Sequence, residues 1–221
     1  MNKTRNEPLR GRSKLLEAAR RVGRDWISHP YYEQWDDYIR EQWTDLLLPF
    51  LGDDINYSIS VDLAAGHGRY SMMLLQYAQT LHIVDINRSN VEFCRRRFRD
   101  NPRVHCHLTS GVDLKCLRRS SVTFVYCFDA MVHFDSDVVR AYLAEFTRVV
   151  RPDGRIFCHH SNYTGNPIGD FHNHIGWRNF MSKELFAHYA SKEGLVIERQ
   201  QPIDWGHDGT FFDCFSLLKR P

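Results

Sequence analysis

Apolar positions along the chain follow two rhythms. Trp35, Tyr38, Ile39, Trp43 and Leu46 recur at three- and four-residue spacing, which predicts a helix over 32–51 with Pro49 near its end. From residue 59 short β-prone runs take over, with strands predicted at 59–63, 81–85, 103–108, 122–127 and 155–160. Helical stretches at 69–78, 89–99 and 136–150 separate them, with Ser89 as one cap and Asp135 or Ser136 as another. A further helix over 111–119 is only weakly patterned. This β-α alternation calls for a parallel sheet with helices on both faces. Beyond residue 180 the order changes. A helix over 182–192, capped by Ser182 and stopped by Gly194, precedes two strands at 195–200 and 211–218 that are close enough to pair antiparallel.

Composition narrows the class. The 221 residues are 43% hydrophobic and 25% charged, enough for one α/β domain with a real core. We divide the chain into a helical extension over 1–54 and a main domain over 55–221. No apolar run approaches the ~18 residues of a membrane span, and no signal peptide is evident. Six cysteines without a Cys-x-x-Cys pair read as reduced thiols, so the chain is expected to be cytoplasmic. The net charge of +2 singles out no nucleic-acid partner. Residues 1–24 are rich in Lys and Arg and are expected to form a solvated, partly frayed leader. A cationic lid and an organelle transit peptide are the alternatives. Arg95, Arg96, Arg97 and Arg99 read as a solvated helix face.

The strongest local signal is Val61-Asp62-Leu63-Ala64-Ala65-Gly66-His67-Gly68-Arg69. A strand runs into small residues and then into a helix, whose N-terminus offers free N–H groups. Nineteen residues after Gly66, at the end of the second predicted strand, stands Asp85, a carboxylate placed to accept ribose hydroxyl protons. The plainer reading is a tight strand–helix turn, with Asp85 a coincidence. In the dinucleotide fingerprint a third glycine packs helix on strand, and here that position is Ser71.

At this point the residues resemble class I S-adenosylmethionine-dependent methyltransferases of the small-molecule type. Asp62-x-Ala64-x-Gly66-x-Gly68 is similar to the family's first motif. Asp85-Ile86-Asn87 is similar to its ribose-binding strand end, and Thr109-Ser110-Gly111-Val112-Asp113-Leu114 to the loop beside the adenine. Cys127 to His133 resembles the fourth motif, and Val150 to Arg155 the turn before the fifth strand. The likeness covers roughly residues 55–218. It implies a Rossmann-like, doubly wound, seven-stranded, mostly parallel sheet with one antiparallel strand near the C-terminus. It also implies S-adenosyl-L-methionine as cofactor, held by Asp62, Ala64, Ala65, Gly66, Gly68, Arg69, Asp85, Ile86, Asn90, Ser110, Gly111, Val112 and Asp129.

The expected activity is methyl transfer to a small-molecule acceptor, at a hydroxyl, with a histidine general base. His133, after the fourth strand, and His160, near the mouth of the fifth, are the candidates. Adjacent His159 and His160 must point to opposite faces, and His160 is favoured. The plainer role for either candidate is an orienting hydrogen bond. The long segment 161–180 is expected to be an acceptor lid carrying Asn162, Tyr163, His172, Trp177 and Arg178. The aromatic stretch Trp26, Tyr31, Tyr32 and Trp35 is placed on the other side of the cleft, with Tyr32 and Trp35 as acceptor contacts. Asp170-Phe171-His172-Asn173-His174 and His105-Cys106-His107 put pairs on one face if extended. No four-ligand set of familiar spacing appears, and no metal is expected. A small amine acceptor, an RNA-directed enzyme and a cofactor-binding protein without transfer activity stay open as alternatives, as does a homodimer. The stretch Asp129-Ala130-Met131-Val132 lacks a proline pair, which disfavours a nucleic-acid base amine.

Overall fold

Seven strands lie side by side in the order β3-β2-β1-β4-β5-β7-β6. They are β1 (Ile59–Leu63), β2 (Thr80–Asp85), β3 (Val104–Leu108), β4 (Val122–Cys127), β5 (Val150–Ser161), β6 (Val196–Ile203) and β7 (Asp213–Lys219). The computed structural model describes residues 7–27, 29–33 and 36–221. Strands β1 to β5 pair parallel, while β7 runs antiparallel to both β5 and β6. The Rossmann-like doubly wound sheet implied by the sequence is therefore present. The strand order reverses between β1 and β4, the switch point beyond which open α/β sheets bind ligands.

The helices are α1 (Glu7–Asp25), α2 (Asp36–Glu41), α3 (Leu48–Leu51), α4 (Arg69–Leu74), α5 (Arg88–Arg97), α6 (Ser136–Val149) and α7 (Lys183–Lys192). Alternation along the strands sends side chains to two cores. Val61, Leu63, Val84, Val125, Cys127 and Ile156 pack beneath α1, α6 and α7. Leu81, Ile83, Phe124, Tyr126 and Phe157 pack beneath the 36–51 helices and α4. Val122 and Phe124 share parity yet lie in different cores, because the β4–β5 register shifts between them. Asp135 caps α6 by accepting from the Asp137 N–H, and Ser182 caps α7 by accepting from the Leu185 N–H.

Several expectations need correction. The leader is not frayed over its described part: α1 is a nineteen-residue helix. Ala19 and Val22 are buried, and Leu15, Leu16 and Ala18 pack on the core. This apolar stripe is hidden in the sequence by the surrounding arginines. The 32–51 helix is divided: a π-helical turn, Gln42–Leu47, connects α2 to α3 and buries both Trp43 and Leu47. Pro49 lies two residues before the end of α3, as the sequence placed it. Helix α5 starts from Asn87, so Ser89 is no cap. Residues 111–119 are not helical, and β5 begins at Val150, before its predicted start.

Candidate functional site

The carboxyl ends of β1, β2 and β4 open into one cleft with a cavity of about 80 Å³. Asp62, at the end of β1, is 3% exposed and accepts from Ser71 Oγ at 2.6 Å. Burial pushes its carboxyl up to about 7, against the Ser71 hydrogen bond. Ser71 thus serves the acid beneath the bend, a task the third glycine of a dinucleotide site could not perform.

The bend itself needs left-handed backbone at Ala64 (φ 57°), Gly66 (φ 56°) and Gly68 (φ 73°). A Cβ on Gly66 would run into the ring of Tyr32. The Gly66 N–H donates to Asp85 Oδ2 at 3.0 Å. Asp85 Oδ1 accepts from the Asn87 N–H at 2.7 Å and from Asn90 Nδ2 at 3.3 Å. Burial pushes the Asp85 carboxyl up to about 6, partly offset by these donors. Asn90 Oδ1 is buried without a partner. Beside it, Ile86 lies between Gly23 of α1 and Gly111. A Cβ on Gly23 would come 2.9 Å from Ile86, and one on Gly111 would collide with it. At this end of the cleft Ile86 packs against Gly23 and Gly111, beside the hydrogen-bond acceptors of Asp85 and Asn90.

The other end is aromatic. The Tyr31 hydroxyl donates to Asp129 Oδ2, and the Arg69 guanidinium lies 4.2 Å over the Tyr31 ring. Tyr32 stacks on His67 at 4.5 Å. Trp26 packs 4.9 Å from the ring of His133, and its Nε1 is buried without a partner. His133 Nδ1 lies 2.9 Å from the Trp177 carbonyl, which can only accept. The proton is therefore on Nδ1, and Nε2 carries the lone pair. Burial pushes the imidazole down to about 4, so it is neutral at physiological pH.

The cleft brings together Asp62, Ala64, Ala65, Arg69, Asp85, Ile86, Asn90, Gly111, Asp129, His133 and Tyr32. Gly66 and Gly68 shape the bend from behind, Gly68 packing on Cys94 and Phe98. Ser110 accepts locally from the Val112 N–H, and Val112 belongs to the core. His160 is not at the cleft. It stacks on Phe186 at 3.8 Å and is fixed by Ser161 O and Ser216 Oγ, each at 2.8 Å. His159 is the member of the pair that turns to Asp129, whose N–H it accepts at Nδ1.

Nor does segment 161–180 line the cleft. Asn162 bonds Lys183 N and Phe211 O, Tyr163 packs on His174, His172 contacts Asp25 and Asp170, and Arg178 contacts Asp213. Trp177 serves through its carbonyl and by packing on Trp26. Trp35 lies outside the described residues. Sequence reasoning missed Ala19, Val22 and Gly23 of α1, and Phe128, Phe134 and Tyr142. The stripe Leu15, Ala18, Ala19, Val22 was the signal for α1. Among the described residues no group of three His, Cys, Asp or Glu converges to hold a metal. Among them, too, no helix is long and apolar enough to cross a membrane.

Residues 61–154 match the methyltransferase domain family. Three solved structures share the fold. The geranyl diphosphate C-methyltransferase from Streptomyces coelicolor A3(2), in complex with Mg2+, geranyl diphosphate and S-adenosyl-L-homocysteine, is 13% identical. It covers 92% of this chain and 98% of its own, with a TM-score of 0.72. A putative methyltransferase in complex with the Haloferax volcanii Trm112 methyltransferase activator is 18% identical, covering 84% and 93%, with a TM-score of 0.64. A putative sarcosine dimethylglycine methyltransferase from Galdieria sulphuraria is 14% identical, covering 84% of each chain, with a TM-score of 0.61. No curated protein matches the sequence significantly.

Proposed function

We propose that this chain, whose residues 61–154 match the methyltransferase domain family, is a class I S-adenosylmethionine-dependent methyltransferase and that it methylates a small-molecule acceptor at a hydroxyl oxygen. The carrying observation is one cleft lined both by the Asp85 and Asn90 acceptors and by a neutral histidine whose Nε2 carries the lone pair. The chemistry of the walls supports this cofactor. Asp85 and the orphaned Asn90 Oδ1 would take the ribose hydroxyl protons, and Ile86 would pack against the adenine. Asp62 and the 64–66 bend would face the amino-acid end. When bound, S-adenosylmethionine supplies a methyl carbon activated by its sulfonium.

The protein's own groups do the rest. His133 Nε2 accepts the acceptor's hydroxyl proton and so aims the oxygen lone pair. That proton becomes strongly acidic as the new O–C bond forms, so an imidazole depressed by burial suffices to take it late in the step. Trp26, Tyr31 and Tyr32 wall the cleft and keep water out.

The charge of the wall bears on the acceptor. Its described residues include the carboxyls of Asp62, Asp85, Asp129 and Asp135 against the single guanidinium of Arg69. That balance suits a neutral or cationic acceptor and opposes a diphosphate, the ligand held by the Streptomyces relative. A small amine is the second reading, favoured by the Asp129 carboxylate set among aromatic faces. Methyl-labelled S-adenosylmethionine, incubated with panels of hydroxylated compounds, small amines and geranyl diphosphate, tests the choice. Label in a methyl ether is expected. Label confined to amines transfers the assignment to the second reading, and label in geranyl diphosphate overturns both.

A further inference from the structure

The buried Asp213 carboxylate lies outside the cleft, yet two chains of contacts lead from it to the two groups that face the acceptor. Because β7 runs antiparallel, its first residue stands at the mouth where β4 and β5 end. Asp213 is wholly buried there. Arg178 grips it with a fork, Nε to Oδ1 at 3.0 Å and Nη2 to Oδ2 at 2.6 Å. Trp205 Nε1 donates to Oδ2 at 2.6 Å. His159 Nε2 stands 3.1 Å from Oδ2, at ion-pair distance but off the line of a well-aligned hydrogen bond.

The first chain runs through His159. Its Nδ1 accepts the Asp129 N–H at 3.1 Å, which puts its proton on Nε2, toward Asp213. Asp129 is a non-glycine residue at φ 55°, a conformation that costs energy unless its surroundings enforce it. The His159 bond is one such restraint. The second chain runs through Arg178. The residue before it, Trp177, is also left-handed (φ 56°) and offers its carbonyl to His133 Nδ1. Asn179 supports the same stretch through Val132 O and His133 O. Burying a carboxylate is costly, and Asp213 keeps its charge only because these donors surround it. Burial alone would push its carboxyl up. The paired hydrogen bonds and charge of Arg178, with the His159 Nε2–H nearby, more than offset that and hold it well below the usual carboxylate range.

We propose that Asp213 is a positioning residue that, through His159 and Arg178, sets the backbone of Asp129 and the ring tautomer of His133 together. The inference rests on the reading that Asp129 and His133 face the acceptor. It explains why a buried ion pair is kept at the sheet mouth, where a packed apolar cluster would be as stable.

The test is spectroscopic and needs no acceptor. In 15N-labelled protein bound to S-adenosylhomocysteine, the His133 imidazole should show one tautomer, protonated at Nδ1. Asp213→Asn, which keeps the shape and removes the charge, should mix the His133 tautomers and shift the Asp129 amide signal. Affinity for S-adenosylhomocysteine should stay within about threefold, because Asp213 does not line the cleft. His159→Leu should move only the Asp129 amide, and Arg178→Lys only the His133 ring. If Asp213→Asn fails to fold, these two variants carry the test. Unchanged signals in the folded variants overturn the proposal. Altered signals in a protein that does not bind S-adenosylhomocysteine sustain the coupling and overturn the cofactor reading instead.

Discussion

The Gly66 amide and the Asp85 carboxylate are tied across the cleft floor, N–H to Oδ2 at 3.0 Å. The bond couples the bend after β1 to the acid that ends β2, so the residue proposed to bind the ribose also holds the bend. Burial places the Asp85 carboxyl near 6. Below that pH it gains a proton, loses its charge and accepts from ribose hydroxyls more weakly. Affinity for S-adenosylhomocysteine should therefore fall about tenfold between pH 7 and pH 5. Asp85→Asn should bind weakly and flatten this part of the profile. Calorimetry across the range checks it, and a wild-type affinity that is constant to pH 5 would refute the assignment.

Gly66 also meets Tyr32. A methyl group at Gly66 collides with the Tyr32 ring and forces an L side chain into φ 56°. Gly66→Ala should therefore lower both melting temperature and cofactor affinity. Adding Tyr32→Ala removes the collision but not the backbone strain, so the double variant should recover part of the loss. A double variant worse than the sum of the singles would show that Tyr32 supports the bend rather than crowding it.

What was legible in the chain follows from what local patterns contain. Strand β1 was bounded at 59–63 by its β-prone run, and Asp135 and Ser182 announced their helices because capping is a local interaction. Asp85 was legible beside the glycine bend because the spacing of a βαβ unit is nearly fixed. The His159-His160 pair shows the limit. Alternation says that the two rings part, but which one meets the cleft depends on which helix covers which face, and α7 took His160. Segment 161–180 was legible as an unusual loop. Its work, holding His133 and Asp213 from behind, depends on contacts with Trp26 and β7 that no local window includes.

His133 and His160 should separate cleanly under mutation. His133→Ala removes the lone pair at the cleft and should cut turnover by 10²–10⁴-fold, roughly the range of general-base catalysis. Its cofactor affinity should be unchanged. His160→Phe keeps the stack on Phe186 and lies outside the cleft, so turnover should remain within about twofold at a lower melting temperature. Equal losses in both variants would mean that His133 acts only through the fold. EDTA should leave turnover intact, since the proposed step uses no metal.

Acid should expose two opposed sets of buried groups. Burial pushes His160 down to about 3 in the folded protein, against 6.5 when unfolded. Its contribution is present above pH 6.5 and is lost as pH falls, because only the unfolded chain takes the proton. By pH 5 that loss is about 2 kcal/mol. Asp62 works the other way. Its folded carboxyl lies near 7 and its unfolded one near 3.8, so the folded protein takes the proton first. Stability from this group grows between pH 7 and pH 5, again by about 2 kcal/mol. The two nearly cancel in the wild type. His160→Phe should therefore become more acid-tolerant relative to wild type, and Asp62→Asn less so. Denaturant titrations at pH 7 and pH 5 measure both differences. If both variants track the wild type across that interval, neither group is buried as the structure has it.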